Sequence, residues 1–406
     1  MKIAFVLPAF PVISETFILN QLTWFLNHGH HVDIFARKRI METKVHADVE
    51  AYRLLDRTYY YWDVPAGKVQ RFLSAIHIIG KYGLRYPLGI FRTLNVFKFG
   101  SLAWTLGLLH RVGPFLNDYD IVQCHFGTAG NWGVFLKKFG LKAKVVTTFH
   151  GFDIRMGLEK GAGVYRDLFE LGDCFISISD YNFQSLCQMG LRQEKIVSLP
   201  IGIDLKKFPL KNRNEAWEIH SPCRIVTVAR LVEEKGLKFG IEAIALLRKL
   251  RPGVSVQYTI IGEGPLREEL EVLIRTLNLE KVVTLRGAMD QKDIVQELRR
   301  SHLFLFPSIA EALPVSLMEA QAIGLPVVAT RVGSADQIVS EGKSGFLVPS
   351  KDVQALAERC MYLLDHSESW QEMGQQGRDI VEKRYDVNIL NDHLLGLYKQ
   401  LLVTAS

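Results

Sequence analysis

A repeated rhythm constrains this chain more than any other feature: short, near-continuous apolar runs alternate with helix-length segments, and the whole series occurs twice. The first half contains KIAFVLP, HVDIFAR, DIVQCHF, KVVTTFH, CFISIS and KIVSLPIG, all rich in β-branched residues. An irregular charged stretch follows, DLKKFPLKNRNEAWEIHSPC, and the rhythm restarts with RIVTVAR, VQYTIIG, VVTLRG, HLFLFPS, PVVATRVG and GFLVPS. Strands that are apolar along their whole length must be covered on both faces, which is the signature of parallel sheets wrapped by helices. The pattern predicts an α/β chain of two doubly wound, Rossmann-like domains of six strands each, facing one another across a cleft. Residues 1–205 make the first domain and 206–385 the second, while 386–406 form a terminal helix returning to the first. A length of 406 residues exceeds what one core usually serves, and 48% apolar composition can fill two.

Ligands of such sheets bind beyond the carboxyl ends of the strands, and the chemically interesting residues follow strands here. His125 ends the run DIVQCH, His150 and Asp153 follow KVVTTF, and Arg230 follows RIVTVA. Gly262 and Gly264 follow VQYTII, and Glu311 follows HLFLFPS.

The densest signal is PSIAEALPVSLMEAQAIGLPVVAT, residues 307–330. Pro314 suits a helix start and Gly324 a helix end. The loop before that helix carries Glu311, and the helix itself carries Glu319. Amides of Ala312, Leu313 and the residues after Pro314 lack helical partners, and the positive end of the helix dipole lies behind them, so this end attracts a diphosphate. Glu311 can accept hydrogen bonds from sugar hydroxyls, and Glu319 can bind the vicinal hydroxyls of a ribose. A carboxylate inside the apolar run PVSLMEAQAIGLPVV is costly without a partner. In the second cluster, RIVTVARLVEEKGL, Arg230 ends a strand and Lys235 precedes Gly236 at a helix start. Two cations there can clamp a diphosphate and neutralise the charge it gains on leaving.

On these residues the chain resembles retaining glycosyltransferases of family four. Glu311 and Glu319, with seven residues between, match that family's paired glutamates, and Arg230, Lys235 and Gly236 match its R-x-x-x-x-K-G pattern. FPVISETFILNQ, HFG, HGFDI and LPIGID further resemble enzymes that assemble exopolysaccharides of the colanic-acid or amylovoran type. The resemblance implies a GT-B fold and transfer of a hexose from a UDP- or GDP-sugar with retention of configuration. It also implies that neither cofactor nor metal takes part, and that the acceptor is a glycan linked to polyprenyl diphosphate. By the same resemblance Glu311 contacts the donor sugar, Glu319 the ribose, Arg230 and Lys235 the diphosphate, and His150 the sugar from the first domain. Glu15, Thr16, His125 and Asp153 then lie on the acceptor side. Two departures stand out. The loop after the first strand, PAFPVISETF, lacks the family's glycine pair, leaving Ser14 as a helix cap and Glu15 facing hydroxyls more readily than phosphate. Ala312 replaces a glycine, a change that keeps the backbone amide.

Asp118, Tyr119 and Asp120 spell D-x-D, but they precede a strand instead of following one, and Cys124 with His125 has no further ligands at zinc spacing. IGEGP lacks the third glycine of a dinucleotide fingerprint. Five scattered cysteines without a Cys-x-x-Cys pair suit a reducing cytoplasm. The start carries no secretory pattern and no run is long enough to span a membrane. A net charge of +6 fits nucleic acid as well as anionic lipid, but no nucleic-acid module accompanies it.

Residues 64–117 contain no Asp or Glu, and their cations alternate with Phe72, Ile76, Ile79, Phe91, Phe97, Phe99 and Trp104. That composition suits helices lying on an anionic bilayer at the inner face of the cell membrane. It equally suits two core helices with solvated basic faces. Two other functions stay open on the sequence: a nucleotide-sugar epimerase on the same fold, and a membrane-surface module without catalysis.

Overall fold

In the computed structural model, residues 1–12, 15–40, 46–211 and 222–403 are described. They fall into two compact units: residues 1–199 together with the chain from Asn391 onward, and residues 200–390.

The first unit is built on seven strands, β1 (Lys2–Phe10), β2 (His31–Arg39), β3 (Thr58–Tyr60), β4 (Ile121–His125), β5 (Lys144–Phe149), β6 (Cys174–Ser177) and β7 (Ile196–Ser198). They lie in the order β3-β2-β1-β4-β5-β6-β7. All their ladders are parallel. The sequence pattern predicts six strands, and the structure adds β3. Three residues at a sheet edge, with Tyr59 40% exposed, offer neither the length nor the apolar run by which the others announce themselves. In the second unit, β8 (Cys223–Val228), β9 (Val256–Ile261), β10 (Val283–Leu285), β11 (Leu303–Phe306), β12 (Val327–Thr330) and β13 (Gly345–Val348) follow the order β10-β9-β8-β11-β12-β13. These ladders are parallel too.

Each sheet reverses its winding once, between β1 and β4 in the first and between β8 and β11 in the second. At such a switch point the loops leave toward opposite faces and open a crevice at the carboxyl edge. Side chains on both sheet faces are sealed: β4 and β11 have no exposed residue, which is why their sequences read as unbroken apolar runs. Each unit has its own core, around Phe35, Phe115, Phe149 and Tyr165 in the first and Tyr258, Leu305, Leu247 and Leu363 in the second. Fully burying side chains of this size stabilises by about 1.5–3 kcal/mol each.

The terminal helix Val387–Val403 contributes Tyr398 to the first unit. Its hydroxyl donates to Gln123 Oε1 at 2.7 Å, Gln123 Nε2 donates to Thr148 Oγ1 at 2.8 Å, and its ring stacks on Phe25. The acid-free region forms five short helices, Lys68–Tyr82, Pro87–Thr93, Val96–Phe99, Ser101–Trp104 and Gly107–Val112, instead of two long ones. Their outward sides are not simply basic. Helix Lys68–Tyr82 buries Ala75, Ile78 and Tyr82 and turns Val69, Phe72, Leu73, Ile76 and Ile79 outward on the opposite face. No helix among the described residues is long and apolar enough to cross a membrane.

Candidate functional site

At the carboxyl edge of the second sheet, four loops are locked together by backbone contacts that leave little room for side chains. Gly262 follows β9 at φ 144°, and a Cβ there would lie 1.9 Å from the Ala229 carbonyl oxygen. A Cβ on Gly264 would meet the Leu231 carbonyl at 2.4 Å. Leu231 N–H donates to the Glu263 carbonyl, and Leu266 N–H to the Leu231 carbonyl. The loop bearing Arg230 is thereby fixed to the loop after β9. Gly262 N–H donates to the Gly287 carbonyl at 2.9 Å. Of the two glycines expected at the donor, Gly262 has its amide committed inward, and both serve close backbone approach.

The turn Glu233–Lys235 is joined to the loop after β11 in the same way. The Glu234 carbonyl accepts from the Ile309 and Ala310 amides at 2.8 and 3.2 Å, and Gly236, at φ 55°, lies where a Cβ would strike the Pro307 carbonyl. These bonds bring Lys235 and Glu311, 76 residues apart, into a part-buried ion pair between Nζ and Oε1, with side chains 19% and 11% exposed. Ser308 Oγ donates to the same carboxylate oxygen at 3.3 Å. From the other side Gly333, at φ 54°, packs on the Glu311 carbonyl, and Ser334 N–H donates to the Ala312 carbonyl at 3.2 Å. Neither Ser308, inside the 307–330 motif, nor the Gly333 turn just beyond it is assigned a role from sequence.

The helix Val315–Ile323 starts at Pro314, whose carbonyl accepts from Leu317 and Met318, and ends at Gly324 in the left-handed region. Its side chains from Leu317 to Ile323 are buried except Glu319, which shares a part-exposed stripe with Val315 and Ser316. Among the described residues the amides of Ala312, Leu313, Val315 and Ser316 have no acceptor, so four N–H groups stand at one helix start. Glu319 has no hydrogen-bond or ion-pair partner among the described residues, and although its outer edge is part-exposed, desolvation by the apolar packing around the helix pushes its carboxyl up to about 8. Arg230 is exposed, and its guanidinium has no partner among them either. One edge of one unit thus gathers Arg230, Lys235, Glu311, Ala312, Leu313, Pro314 and Glu319. Two cations and a fan of amides can hold a diphosphate, and two carboxylates can take hydroxyl donors.

The first unit's switch point is different. His125 and Asp153 are wholly buried and His150 is 5% exposed. His125 Nδ1 meets His150 Nε2 at 3.2 Å beneath Phe17, whose ring lies 4.8 Å from that of His150. Burial pulls His125 down to about 3; burial, then His125, pulls His150 well below the usual histidine range, so both rings are neutral. Asp153 accepts from Gly127 N–H at 2.8 Å and His150 N–H at 2.7 Å, although burial raises its carboxyl to about 7. As packed, then, the expected acceptor-side residues His125 and Asp153 face inward: one sits behind His150, and the other holds two backbone amides that would otherwise be unsatisfied. Glu15 occupies the N-cap of the helix Thr16–Asn27 without a side-chain cap bond, and the expected cap, Ser14, lies outside the described residues. In the D-x-D sequence, Asp118 pairs with Arg85 and Tyr86, Tyr119 donates to Asp33, and Asp120 accepts from the Lys2 amide.

Comparison with known proteins identifies the family and the fold. Residues 14–207 match Glycosyltransferase Family 4 and residues 211–380 match Glycosyl transferases group 1. The chain is 34% identical to WcaL of Escherichia coli, assigned to colanic acid biosynthesis as a glycosyltransferase, across 99% of this chain and 100% of that one. It is 37% identical to the amylovoran biosynthesis glycosyltransferase AmsK of Erwinia amylovora, across 88% and 89% of the two. Among solved structures, Anabaena HepE in complex with UDP superposes with a TM-score of 0.77 at 18% identity, covering 98% of this chain and 100% of that one. Sucrose-phosphate synthase of Thermosynechococcus elongatus follows with a TM-score of 0.71 at 19% identity, covering all of both chains. Two Rossmann-like parallel sheets are the GT-B arrangement of those neighbours, and the chain belongs to the family 4 glycosyltransferases of exopolysaccharide biosynthesis.

Proposed function

We propose that this protein is a retaining, metal-independent hexosyltransferase whose donor is a nucleotide diphosphate sugar and whose acceptor is a glycan on polyprenyl diphosphate. The observation that carries the donor half is the convergence of Arg230, Lys235 and the amides of Ala312, Leu313, Val315 and Ser316, free among the described residues, beside two carboxylates at one strand edge. The diphosphate takes Lys235 from Glu311 and gains Arg230, which has no competing acid among the described residues. Glu311, released from its ion pair, then accepts from the sugar hydroxyls, and Glu319 accepts from the ribose. Negative charge on the leaving diphosphate is met by cations and amides already in place, so catalysis is chiefly electrostatic. The acceptor hydroxyl attacks the anomeric carbon from the side of the leaving group, and a phosphate oxygen takes its proton, so no separate base is required.

HepE has been solved with UDP and with UDP-glucose, which favours a uridine donor for this chain over a guanosine one. The acceptor half rests on the first unit, where the His150 ring lines the wall of the switch point and Glu15 and Thr16 open the first helix. A lipid-linked acceptor calls for work at the cytoplasmic face of the membrane. The exposed Leu84, Leu88, Phe91, Phe97 and Trp104, with cations between them, supply an apolar surface suited to that task.

The deciding experiment incubates the purified protein with UDP- and GDP-sugars and a short prenyl-diphosphate-linked sugar, with EDTA present, and follows the anomeric configuration of the product by NMR. An α-linked product from an α-donor in EDTA supports the whole reading. An inverted product overturns retention, and activity only after Mn²⁺ is restored overturns metal independence. Sugar interconversion without an acceptor would mark an epimerase.

A further inference from the structure

Beside the switch point of the first unit lies a set of cations that none of the donor chemistry uses. Arg37 and Arg39 are alternate residues at the carboxyl end of β2, so both project to one face of the sheet edge. The chain leaving β3 brings Tyr60 and Trp62 next to them. The Arg37 guanidinium lies 4.4 Å from the Trp62 ring centroid, and Arg111, from the helix Gly107–Val112, lies 4.0 Å from it. Arg39 lies 4.8 Å from the Tyr60 ring, whose hydroxyl donates to the Phe10 carbonyl at 3.1 Å, where β1 ends. Trp62 is itself wedged edge-on against Trp132 at 5.8 Å.

Arg37 and Arg111 share the Trp62 ring and repel one another, and the described residues supply no ion pair to Arg37, Arg39 or Arg111. Arg111 Nε is buried without a hydrogen-bond partner, and burial and then Arg37 lower that guanidinium's affinity for its proton. The acid whose charge reaches Arg39, Asp63, is exposed and makes no ion pair with it. A guanidinium held over an aromatic ring keeps N–H groups for a planar or tetrahedral anion. Among the described residues this cluster has no counterion, and an anion from outside would supply one.

We propose that Arg37, Arg39 and Arg111, held on Trp62 and Tyr60, bind the phosphate groups of a prenyl-diphosphate acceptor. This rests on the acceptor assignment made above and adds the residues that recognise its charge. The helix carrying Arg111 packs against Lys68–Tyr82, whose outward face is apolar, so charge recognition and a lipid-compatible surface belong to adjoining elements of one unit.

The test uses the full-length protein saturated with UDP, so that the donor edge is filled, and titrates farnesyl diphosphate, farnesol, inorganic pyrophosphate and phosphatidylglycerol vesicles by calorimetry. Farnesyl diphosphate is expected to bind the wild type and to weaken at least about tenfold in Arg37→Gln/Arg111→Gln, with UDP affinity and the melting temperature unchanged. Should the double variant fold poorly, Arg37→Gln alone, at an exposed position, is expected to show about a threefold loss. Pyrophosphate weakening in parallel with farnesyl diphosphate supports recognition of the phosphates themselves. Equal farnesyl diphosphate affinity in variant and wild type overturns the proposal, as does a variant that changes vesicle binding alone, which would assign the cluster to lipid headgroups. Failure to bind UDP at all would instead strike at the donor reading, leaving the two separable.

Discussion

Between β8 and β11, Lys235 and Glu311 meet in an ion pair beside unpaired amides, whereas between β1 and β4 His125 and Asp153 are wholly buried and only an edge of the neutral His150 ring reaches the surface. The strand order around both switch points is the same. The difference lies in what each edge does with its polar atoms. In the second unit, glycines let backbones touch, the loops satisfy one another, and the side chains of Arg230 and Glu319 are left over for a ligand. In the first unit, Asp153 is consumed by the amides of Gly127 and His150, so its charge maintains a wall. A shared fold therefore does not confer a shared site; what matters is which polar groups remain unsatisfied after the loops have packed.

The sharpest way to break that contrast is to remove the wall. Asp153→Ala leaves two buried amides without an acceptor, each costing about 1–3 kcal/mol. The urea midpoint should fall by an amount corresponding to several kcal/mol of that cost, with Asp153→Asn losing less. An unchanged midpoint with lost transfer would mean that Asp153 contacts a ligand after all.

Next in size is the pair on the other edge. Lys235→Ala and Glu311→Ala should each lower kcat/KM at least about a hundredfold, roughly 2.7 kcal/mol of transition-state stabilisation, with the fold retained. The exchange Lys235→Glu/Glu311→Lys separates two explanations. A pair that only braces the loops should recover in the exchanged form, because the attraction is symmetric; a pair divided between diphosphate and sugar should stay inactive. Recovery to near wild-type turnover would sink the donor assignment.

Glu319 gives a smaller, pH-dependent effect. Its carboxyl is raised to about 8 by burial, so the folded state keeps a proton that the unfolded chain releases near pH 4.3. The stability that Glu319 contributes is therefore fully present below about pH 4 and is lost as pH rises toward 8, and Glu319→Gln should remove that part of the slope in melting temperature. Hydroxyl donors favour the ionised form, so UDP affinity of the wild type should rise toward pH 8. That of the variant should be about tenfold weaker and show no such rise. A variant with the wild-type pH dependence would remove Glu319 from the ribose.

The strands and the second unit's edge were legible because each depends on local pattern. Unbroken apolar runs gave every strand but β3, whose three half-exposed residues carry no pattern, and Pro314 with Gly324 bracketed a helix that the structure realises as Val315–Ile323. What the sequence could not disclose is which atoms are spent on one another. Nothing in HGFD distinguishes an aspartate facing an acceptor from one bonded to Gly127, since Gly127 comes from a different strand's loop. Likewise Arg37, Trp62 and Arg111 are scattered over 75 positions and meet only through tertiary packing. The acid-free stretch was visible as charge, but the apolar outward face of Lys68–Tyr82 needed the helix's orientation, because both of its apolar faces look alike in sequence.

The exposed aromatic residues of this acid-free region supply the last and smallest prediction, which extends the comparison from the switch points to the surface of the first unit. Cations were the obvious residues to alter for membrane binding, yet Arg85 is paired with Asp118 and Arg92 donates to the Lys138 carbonyl at 3.1 Å. Reversing their charge would disturb local structure as well as lipid attraction. Phe97 is a cleaner probe, since its ring is fully exposed and contributes no packing to the fold. Partial insertion of one such ring is worth about 1 kcal/mol, so Phe97→Ser should weaken binding to phosphatidylglycerol vesicles roughly fivefold while UDP affinity and melting temperature stay constant. Salt separates the two contributions, because charge attraction decays over about 8 Å at physiological ionic strength and apolar burial is not screened. Wild-type binding should therefore fall with added salt to a plateau instead of to zero, and Phe97→Ser should lower that plateau. Complete release by salt, with no effect of the substitution, would make the surface purely electrostatic and leave its exposed aromatic residues without a membrane role.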